Sequence, residues 1–329
     1  DLSGQLIDNR YELIRIIANG GMGTIYEGID TRLDRKVAVK IMHPHLAQDE
    51  EFISRFIREA KAAASLSHPN IVNVMDQGWN QSGIPAVFLV MELVEGQTLR
   101  ELISQKEKFS VNETINYLSP VVSALSAAHQ IGIVHRDIKP INILISDKGI
   151  VKLTGFELSK VKKEGVSGFT FTEEVGNAEW AAPELLELKQ LKEEGLPEGA
   201  TKFKFAVDVF SLGCVFCYVL TGGKHPFGDK YMRTANIVKR KPEMEDLVFN
   251  EELKTMTKKM ISNDPKNRPS LDMILVSLLQ CLLKIYVVNL DDNQGDFFKT
   301  IDRITEIDES EKYITDWTKK SLLKSLFSL

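Results

Sequence analysis

Apolar and polar positions alternate over residues 11–17, YELIRII, and the pattern returns over 24–30 and 36–42. A period of two predicts strands with one buried face. The connections, ANGGMG and DTRLDR, are rich in turn formers. From residue 50 the spacing changes: Phe52, Phe56, Ile57 and Ala60 share a face, which predicts a helix over 50–65. Strands return in IVNVMDQGW and AVFLVMEL. Beyond about residue 98 the pattern is mostly helical. The run 111–133 reads as one long amphipathic helix, with Pro120 expected to bend it or to start its regular part. NILIS and IVKLT read as short strands, and VDVFSLGCVFCYVL, LKTMTKKMI and LDMILVSLLQ as helices. A strand-rich first third before a helix-rich remainder predicts an α+β chain of two lobes, with a hinge near Glu92 to Gly96. The expected divisions are a lead over 1–10, a first lobe over 11–95, a second over 96–284 and a tail over 285–329. The polar stretch 187–204 reads as an exposed insertion.

Composition narrows the classes. The chain has 329 residues, 43% apolar and 26% charged, which excludes collagen-like, disordered and disulfide-stapled classes. Lys and Arg number 41 against 46 Asp and Glu, a net charge of −5, so no basic footprint for nucleic acid is present. The three cysteines, Cys214, Cys217 and Cys281, are too few for a disulfide scaffold and point to a reducing compartment, with a cytoplasmic location expected. Cys214 and Cys217 form a CxxC inside an apolar helix without other ligands and read as core. Residues 1–10 are polar and carry no apolar signal core. The apolar stretch Met273 to Leu290 is interrupted by Gln280 and Lys284, whereas a spanning helix wants about 20 mainly apolar residues. It is therefore read as a buried helix, and no membrane span is favoured. The tail carries Ile301, Ile304, Ile307, Ile314, Trp317, Leu322, Leu323, Leu326 and Phe327 at amphipathic spacing, which suits packing on the second lobe or a partner or dimer surface.

Three segments carry candidate chemistry. The hairpin ANGGMGTIY holds Ala18, Gly20, Gly21 and Gly23. Glycines there let backbone N–H groups approach phosphates, although glycines also serve simply to turn a hairpin. VAVK places Lys40 inside an apolar strand, where an ammonium needs a partner. Glu59, on the inner side of the predicted helix, would supply one and hold the lysine against phosphate oxygens. The string HRDIKPIN holds Asp137, Lys139 and Asn142. An aspartate can accept a hydroxyl proton, a lysine two residues on can neutralise a phosphate, and an amide five residues on can hold a metal.

With these segments in order, the chain resembles the eukaryotic-type protein kinase family over about residues 10–284. The resemblance extends to AAPE, to DVFSLG with Asp208, and to Arg268 in NDPKNRPS. It implies a bilobal protein kinase fold, α+β, with a small β-rich N-lobe and a larger helical C-lobe. It implies ATP and Mg2+ as cofactors and protein substrates or regulatory partners, with a dimer through the lobes or tail as a further expectation. By resemblance, Lys40 contacts the α/β-phosphates and pairs with Glu59, Asp137 is the catalytic base, Lys139 contacts the γ-phosphate and Asn142 holds one Mg2+. Met91 looks like the residue behind the adenine, followed by hinge residues Glu92 to Val94, with Ile25, Ala38 and Leu144 sandwiching the base. Glu184 and Arg268 look like a buried ion pair, and Asp208 like the anchor of the HRD loop. Arg136 is of the kind that pairs with a phosphorylated activation segment, whose acceptors would be among Ser159, Ser167, Thr170 and Thr172. The first half is most similar to bacterial serine/threonine kinases. Residues 176–269 are similar to unfolded-protein-sensor kinase/ribonucleases, a mixture that fits divergence or an artificial junction.

The chain departs from the family where chemistry is densest. DFG is replaced by Gly155-Phe156-Glu157, so the carboxylate that holds Mg2+ between the β- and γ-phosphates is missing. Glu157 is a carboxylate two positions away, with a side chain expected to point elsewhere. Ala18 replaces the first loop glycine, and Asn177 stands where the family has Thr. Two readings follow: a serine/threonine kinase of impaired activity, or a pseudokinase that works as a nucleotide-binding or scaffolding module.

Overall fold

The computed structural model describes residues 1–48, 50–80, 86–106, 109–156, 178–190, 205–244 and 250–288. The alternation at the N-terminus becomes a six-stranded antiparallel sheet: β1 (Leu6–Ile7), β2 (Tyr11–Asn19), β3 (Gly23–Asp30), β4 (Arg35–Met42), β5 (Val74–Asn80) and β6 (Ala86–Glu92). The strand order is β1-β2-β3-β4-β6-β5. β1 falls inside the stretch expected to be a lead. Leu6 and Ile7 pair with Glu12 and Tyr11, and Gly4 N–H and Leu13 N–H donate to the carbonyls of Leu13 and Gln5. One sheet face packs Ile7, Tyr11, Leu13, Tyr26, Val37, Val39 and Phe88 together. At its edge the buried Asp30 takes both forks of Arg10, which hold its carboxyl below the usual range, and Arg10 also reaches Asp76.

The opposite face meets α1 (Glu50–Ala64), whose Ile53, Phe56 and Ala60 recur at helical spacing and pack on Ala38, Met42, Leu89 and Met91. After the hinge, β7 (Gly96–Thr98), β8 (Ile143–Ser146) and β9 (Val151–Leu153) form a second, three-stranded sheet. α2 (Leu99–Gln105) and α3 (Val111–Gln130) both open on capping boxes, Thr98 with Glu101 and Ser110 with Glu113. α3 runs unbroken through Pro120, because the buried Leu118, Val121, Val122 and Leu125 hold it against the C-lobe core.

The C-lobe is completed by α4 (Pro183–Gln190), α5 (Ala206–Leu220), α6 (Arg233–Val238), α7 (Glu251–Met260) and α8 (Leu271–Val288). α4 takes the first residues of the stretch read as an insertion, and the rest of that stretch, 191–204, lies outside the described residues. α5 is apolar all round and buried almost throughout, with Cys214 and Cys217 as core thiols whose pKa values burial pushes up. α8 carries most of the Met273–Leu290 stretch, and no described helix is long and apolar enough to cross a membrane. The two lobes are tied by Asn70 Nδ2 donating to the Val151 carbonyl at 2.8 Å and by Lys152 Nζ meeting Glu92 at 2.9 Å. The fold expected from the sequence, bilobal and α+β, is the fold observed.

Candidate active site

The upper wall comes from strand register. Lys40 stands opposite Ile25 on β3 and Leu89 on β6, and Ala38 stands opposite Met91. Residues directly across an antiparallel ladder share a face, as do positions two apart, so Ile25, Ala38, Lys40, Leu89 and Met91 look the same way. Val94 from the hinge and Leu144 from β8 join the same apolar cluster. The predicted sandwich residues therefore meet across the cleft. Glu92 sits at the hinge with its side chain committed to Lys152 and to the Asn73 N–H at 3.3 Å. Its own N–H donates to the Asn73 carbonyl at 2.9 Å.

The glycine-rich turn joins β2 to β3. Gly20 N–H donates to the Gly23 carbonyl at 3.0 Å, and His43 Nε2 donates to the Gly20 carbonyl at 2.8 Å. Gly23 has no alternative, since a Cβ there would stand 2.2 Å from the Ile41 carbonyl oxygen. Ala18 lies on β2 opposite Ile25, one residue before the strand ends and outside the turn. Lys40 is 9% exposed. Glu59 falls on α1, but its side chain lies outside the described residues.

The lower wall is the loop after α3. Asp208, fully buried on α5, accepts the N–H groups of His135 at 2.8 Å and Arg136 at 2.7 Å, and His129 Nε2 at 2.8 Å. Burial alone would raise its pKa. The His129 hydrogen bond and charge, the nearby His135 and the Arg136 N–H outweigh that and hold it below the usual carboxylate range. This grip keeps Arg136 at φ +67°, a left-handed backbone that costs roughly 1–2 kcal/mol for a residue with a Cβ. His135 Nε2 donates to the Thr154 carbonyl at 2.8 Å and its Nδ1 accepts the Asp137 N–H at 3.2 Å, which fixes the tautomer. Phe156 stacks edge-on against the same ring at 4.5 Å.

Asp137, Lys139 and Asn142 converge. Lys139 Nζ lies 2.7 Å from Asp137 Oδ2, and Asn142 Nδ2 donates to that oxygen at 2.9 Å and to the Asp137 carbonyl at 2.7 Å. The turn Pro140–Asn142 presents the amide, and Thr154 N–H donates to the Asn142 carbonyl at 2.9 Å, tying the loop to the strand end that carries Gly155. In the C-lobe, Arg268 is bidentate to Glu184, with one arm at 2.9 Å, and also reaches the carbonyls of Ser262 and Ala206.

This arrangement has a known counterpart: the family model described as protein kinase domain matches residues 11–279. The chain belongs to the protein kinase domain family. A probable serine/threonine-protein kinase of Bifidobacterium longum, pknA2, is 42% identical over 226 residues, covering 68% of this chain and 28% of the relative. Serine/threonine-protein kinase PknL of Mycobacterium tuberculosis is 42% identical over 236 residues, covering 71% and 55%. A probable serine/threonine-protein kinase of Streptomyces coelicolor is 34% identical over 285 residues, covering 84% and 40%. The chain thus spans between about a quarter and a little over half of these relatives' lengths.

Kinases of this family use ATP and Mg2+, with two ions held by the DFG aspartate and the catalytic-loop asparagine. The residues here fit only one of the two. Asn142 keeps its amide oxygen. Gly155 lies at φ +97°, and a Cβ built on it stands 3.0 Å from Asn142 Nδ2 and 3.2 Å from His135 Cε1. Position 155 therefore borders the asparagine but offers no donor, and among the described residues the paired-ion arrangement does not fit. Glu157, Asn177 and the candidate acceptors Ser159, Ser167, Thr170 and Thr172 lie outside the described residues, as does the tail beyond 288. Sequence reasoning missed His43, which pins the glycine turn, and Lys152, which occupies Glu92. Neither has a motif around it.

Proposed function

We propose that the chain is a serine/threonine protein kinase domain that binds ATP and transfers the γ-phosphate to protein hydroxyls slowly, in a chain without DFG. The observation that carries this reading is the intact cluster of Asp137, Lys139 and Asn142 beside a position 155 that has no carboxylate. Adenine sits between Ile25, Ala38 and Leu144, with Met91 behind it and the backbone of Glu92 to Val94 along its edge. Gly20, Gly21 and Gly23 let the turn after Ala18 close over the phosphates. Lys40, paired with Glu59, neutralises the α/β-phosphates. Asp137 takes the hydroxyl proton onto its carboxylate, Lys139 holds the γ-phosphate in line, and Asn142 holds Asp137 in place through its Nδ2. Asn142 Oδ1 would hold the one remaining Mg2+, which when bound supplies positive charge at the phosphates. A metal ion's charge is worth several kcal/mol to such a transfer. Losing about 4 kcal/mol of it slows the reaction roughly a thousandfold.

Gly155 also favours a second reading, a pseudokinase that acts as a nucleotide-binding or scaffolding module. Intact mass after incubation with ATP and Mg2+, with Gly155→Asp in parallel, separates the two. Phosphate on the unaltered chain establishes a kinase. Phosphate on Gly155→Asp alone establishes a module silenced at one ligand. None on either refutes transfer by this cluster.

A further inference from the structure

We infer that the cleft takes a nucleoside triphosphate with no need of a divalent cation, its phosphates held by ammonium groups. The inference rests on the ATP-binding reading above and concerns what the misfit at position 155 does to that site. Mg2+ sheds water reluctantly and is ordinarily held through one or two carboxylates together with the substrate's phosphates. Among the described residues, one such carboxylate is missing and the other is already engaged. Position 155, where a Cβ would stand 3.0 Å from Asn142 Nδ2, carries no side chain. Asp137 Oδ2 already accepts Lys139 Nζ at 2.7 Å and Asn142 Nδ2 at 2.9 Å. The Asn142 amide is turned by its two bonds to Asp137, which leaves a single neutral oxygen toward a metal. Among the described residues, no group of three His, Cys, Asp or Glu side chains is placed to hold an ion.

Glycine at 155 changes a second quantity of opposite sign. A carboxylate beside Asn142 would repel metal-free phosphates at short range, in a cleft where charges are weakly screened. Its removal takes that repulsion away, while Lys40 at 9% exposure and Lys139 at 17% remain as cations shielded from water. The substitution thus lowers affinity for the metal complex and raises affinity for the bare polyphosphate. The two effects shift the site from a nucleotide–metal receptor to an anion receptor.

The test is nucleotide affinity, not turnover, measured by calorimetry on the full chain with ATP in excess EDTA and in millimolar Mg2+. The unaltered protein is expected to bind ATP within about threefold under the two conditions. Gly155→Asp is expected to cross over, binding at least about tenfold more weakly in EDTA and at least about tenfold more tightly with Mg2+ than it does without. Gly155→Asn has the same shape without the charge and tolerates positive φ, so it should match the unaltered protein and isolate charge from backbone strain. Binding by the unaltered chain in Mg2+ alone overturns the inference while leaving the ATP reading intact. If Glu157→Gln abolishes that dependence, the metal sits on Glu157, which overturns it equally. No binding under either condition overturns the ATP reading itself. Should Gly155→Asp fail to melt cooperatively, the unaltered chain and Gly155→Asn still decide the matter.

Discussion

Asp208→Asn should unfasten the catalytic loop from α5, and its cost can be worked from three hydrogen bonds. Oδ2 accepts His129 Nε2 and the His135 N–H, both at 2.8 Å, and Oδ1 accepts the Arg136 N–H at 2.7 Å. An amide has one oxygen. If it takes the place of Oδ2, its NH2 faces the Arg136 N–H; if it takes the place of Oδ1, its NH2 faces the His135 N–H. Either way a buried donor loses its acceptor, at about 1–3 kcal/mol, and the surviving bonds lose the charge that strengthened them. The total is about 3–5 kcal/mol, the range for breaking a buried charged contact. At about 2–3 °C per kcal/mol for a domain of this size, melting should fall by roughly 6–15 °C. The functional consequence follows from Arg136. Its φ of +67° is held by the bond to Oδ1, so release lets the backbone relax and moves Asp137, the next residue. Amide exchange at Arg136 should accelerate more than exchange in the β2–β4 ladder, and phosphoryl transfer or ATP affinity should fall with it. A melting point within about 2 °C of the unaltered protein, with exchange at Arg136 unchanged, would refute the account.

Two further predictions are independent of that loop. Burial, with help from the Arg233 charge, pushes the His225 imidazole down to about 2, so it stays neutral in the fold while the unfolded chain takes up a proton below about 6.5. Its contribution to stability is full above that value and falls by about 1.4 kcal/mol per pH unit as pH drops below it. Urea unfolding near pH 7.5 and 5.5 should differ correspondingly, and His225→Phe should flatten part of that slope; His68, also lowered by burial and by Lys152, contributes in the same direction. An unchanged slope in His225→Phe would sink this assignment. Gly23→Ala places a carbon 2.2 Å from the Ile41 carbonyl oxygen, so β3 and β4 must part where the glycine turn ends. The expected loss is about 2–3 kcal/mol in unfolding free energy, with weaker ATP binding; wild-type values for both would show that the strands yield freely.

What the sequence made legible followed from periodicity and side-chain chemistry. The alternation YELIRII became β2 with Tyr11 and Leu13 buried and Glu12 and Ile14 exposed. The spacing after residue 50 became α1 with Phe56 and Ala60 inward, joined by Ile53. HRDIKPIN became a cluster with three of its side chains in hydrogen-bonding contact. Elements built from backbone alone left no such trace. β1 is two residues paired with β2 by main-chain bonds, with the single side chain of Ile7 in the core, and β7 is three residues paired with β8. α2 and α6 are too short to show a period, although Thr98 and Glu101 give α2 the spacing of a capping box. The His43 and Lys152 contacts join residues 23 and 60 positions from their partners, so no local pattern could announce them. His225 is a lone histidine whose burial against Trp180, at 4.7 Å, is set wholly by packing.

The presence of HRDIKPIN beside Gly155-Phe156-Glu157, which we read as a DFG without its aspartate, becomes intelligible once the supports of each are separated. The catalytic loop is held from below by Asp208, from the side by the His135 ring on the Thr154 carbonyl, and from within by Asn142 on Asp137. None of these bonds involves a side chain at 155. That position is moreover left-handed, at φ +97°, where glycine avoids a strain of about 1–2 kcal/mol borne by other residues. Exchange of a carboxylate for glycine there removes chemistry without loosening the scaffold, and it gains a little stability in the process. An intact loop is therefore what the fold itself maintains, and it is no measure of turnover. The converse costs more: a carboxylate restored at 155 meets the left-handed backbone, and its Cβ would stand 3.0 Å from Asn142 Nδ2 and 3.2 Å from His135 Cε1, side-chain atoms that must give by a few tenths of an ångström although both residues are hydrogen-bonded in place. Absence of a side chain at 155 thus costs the fold nothing, while its return costs about 1–2 kcal/mol of backbone strain; on the proposed reading of 155 as a metal-ligand position, binding and transfer are tuned apart there with little effect on the scaffold.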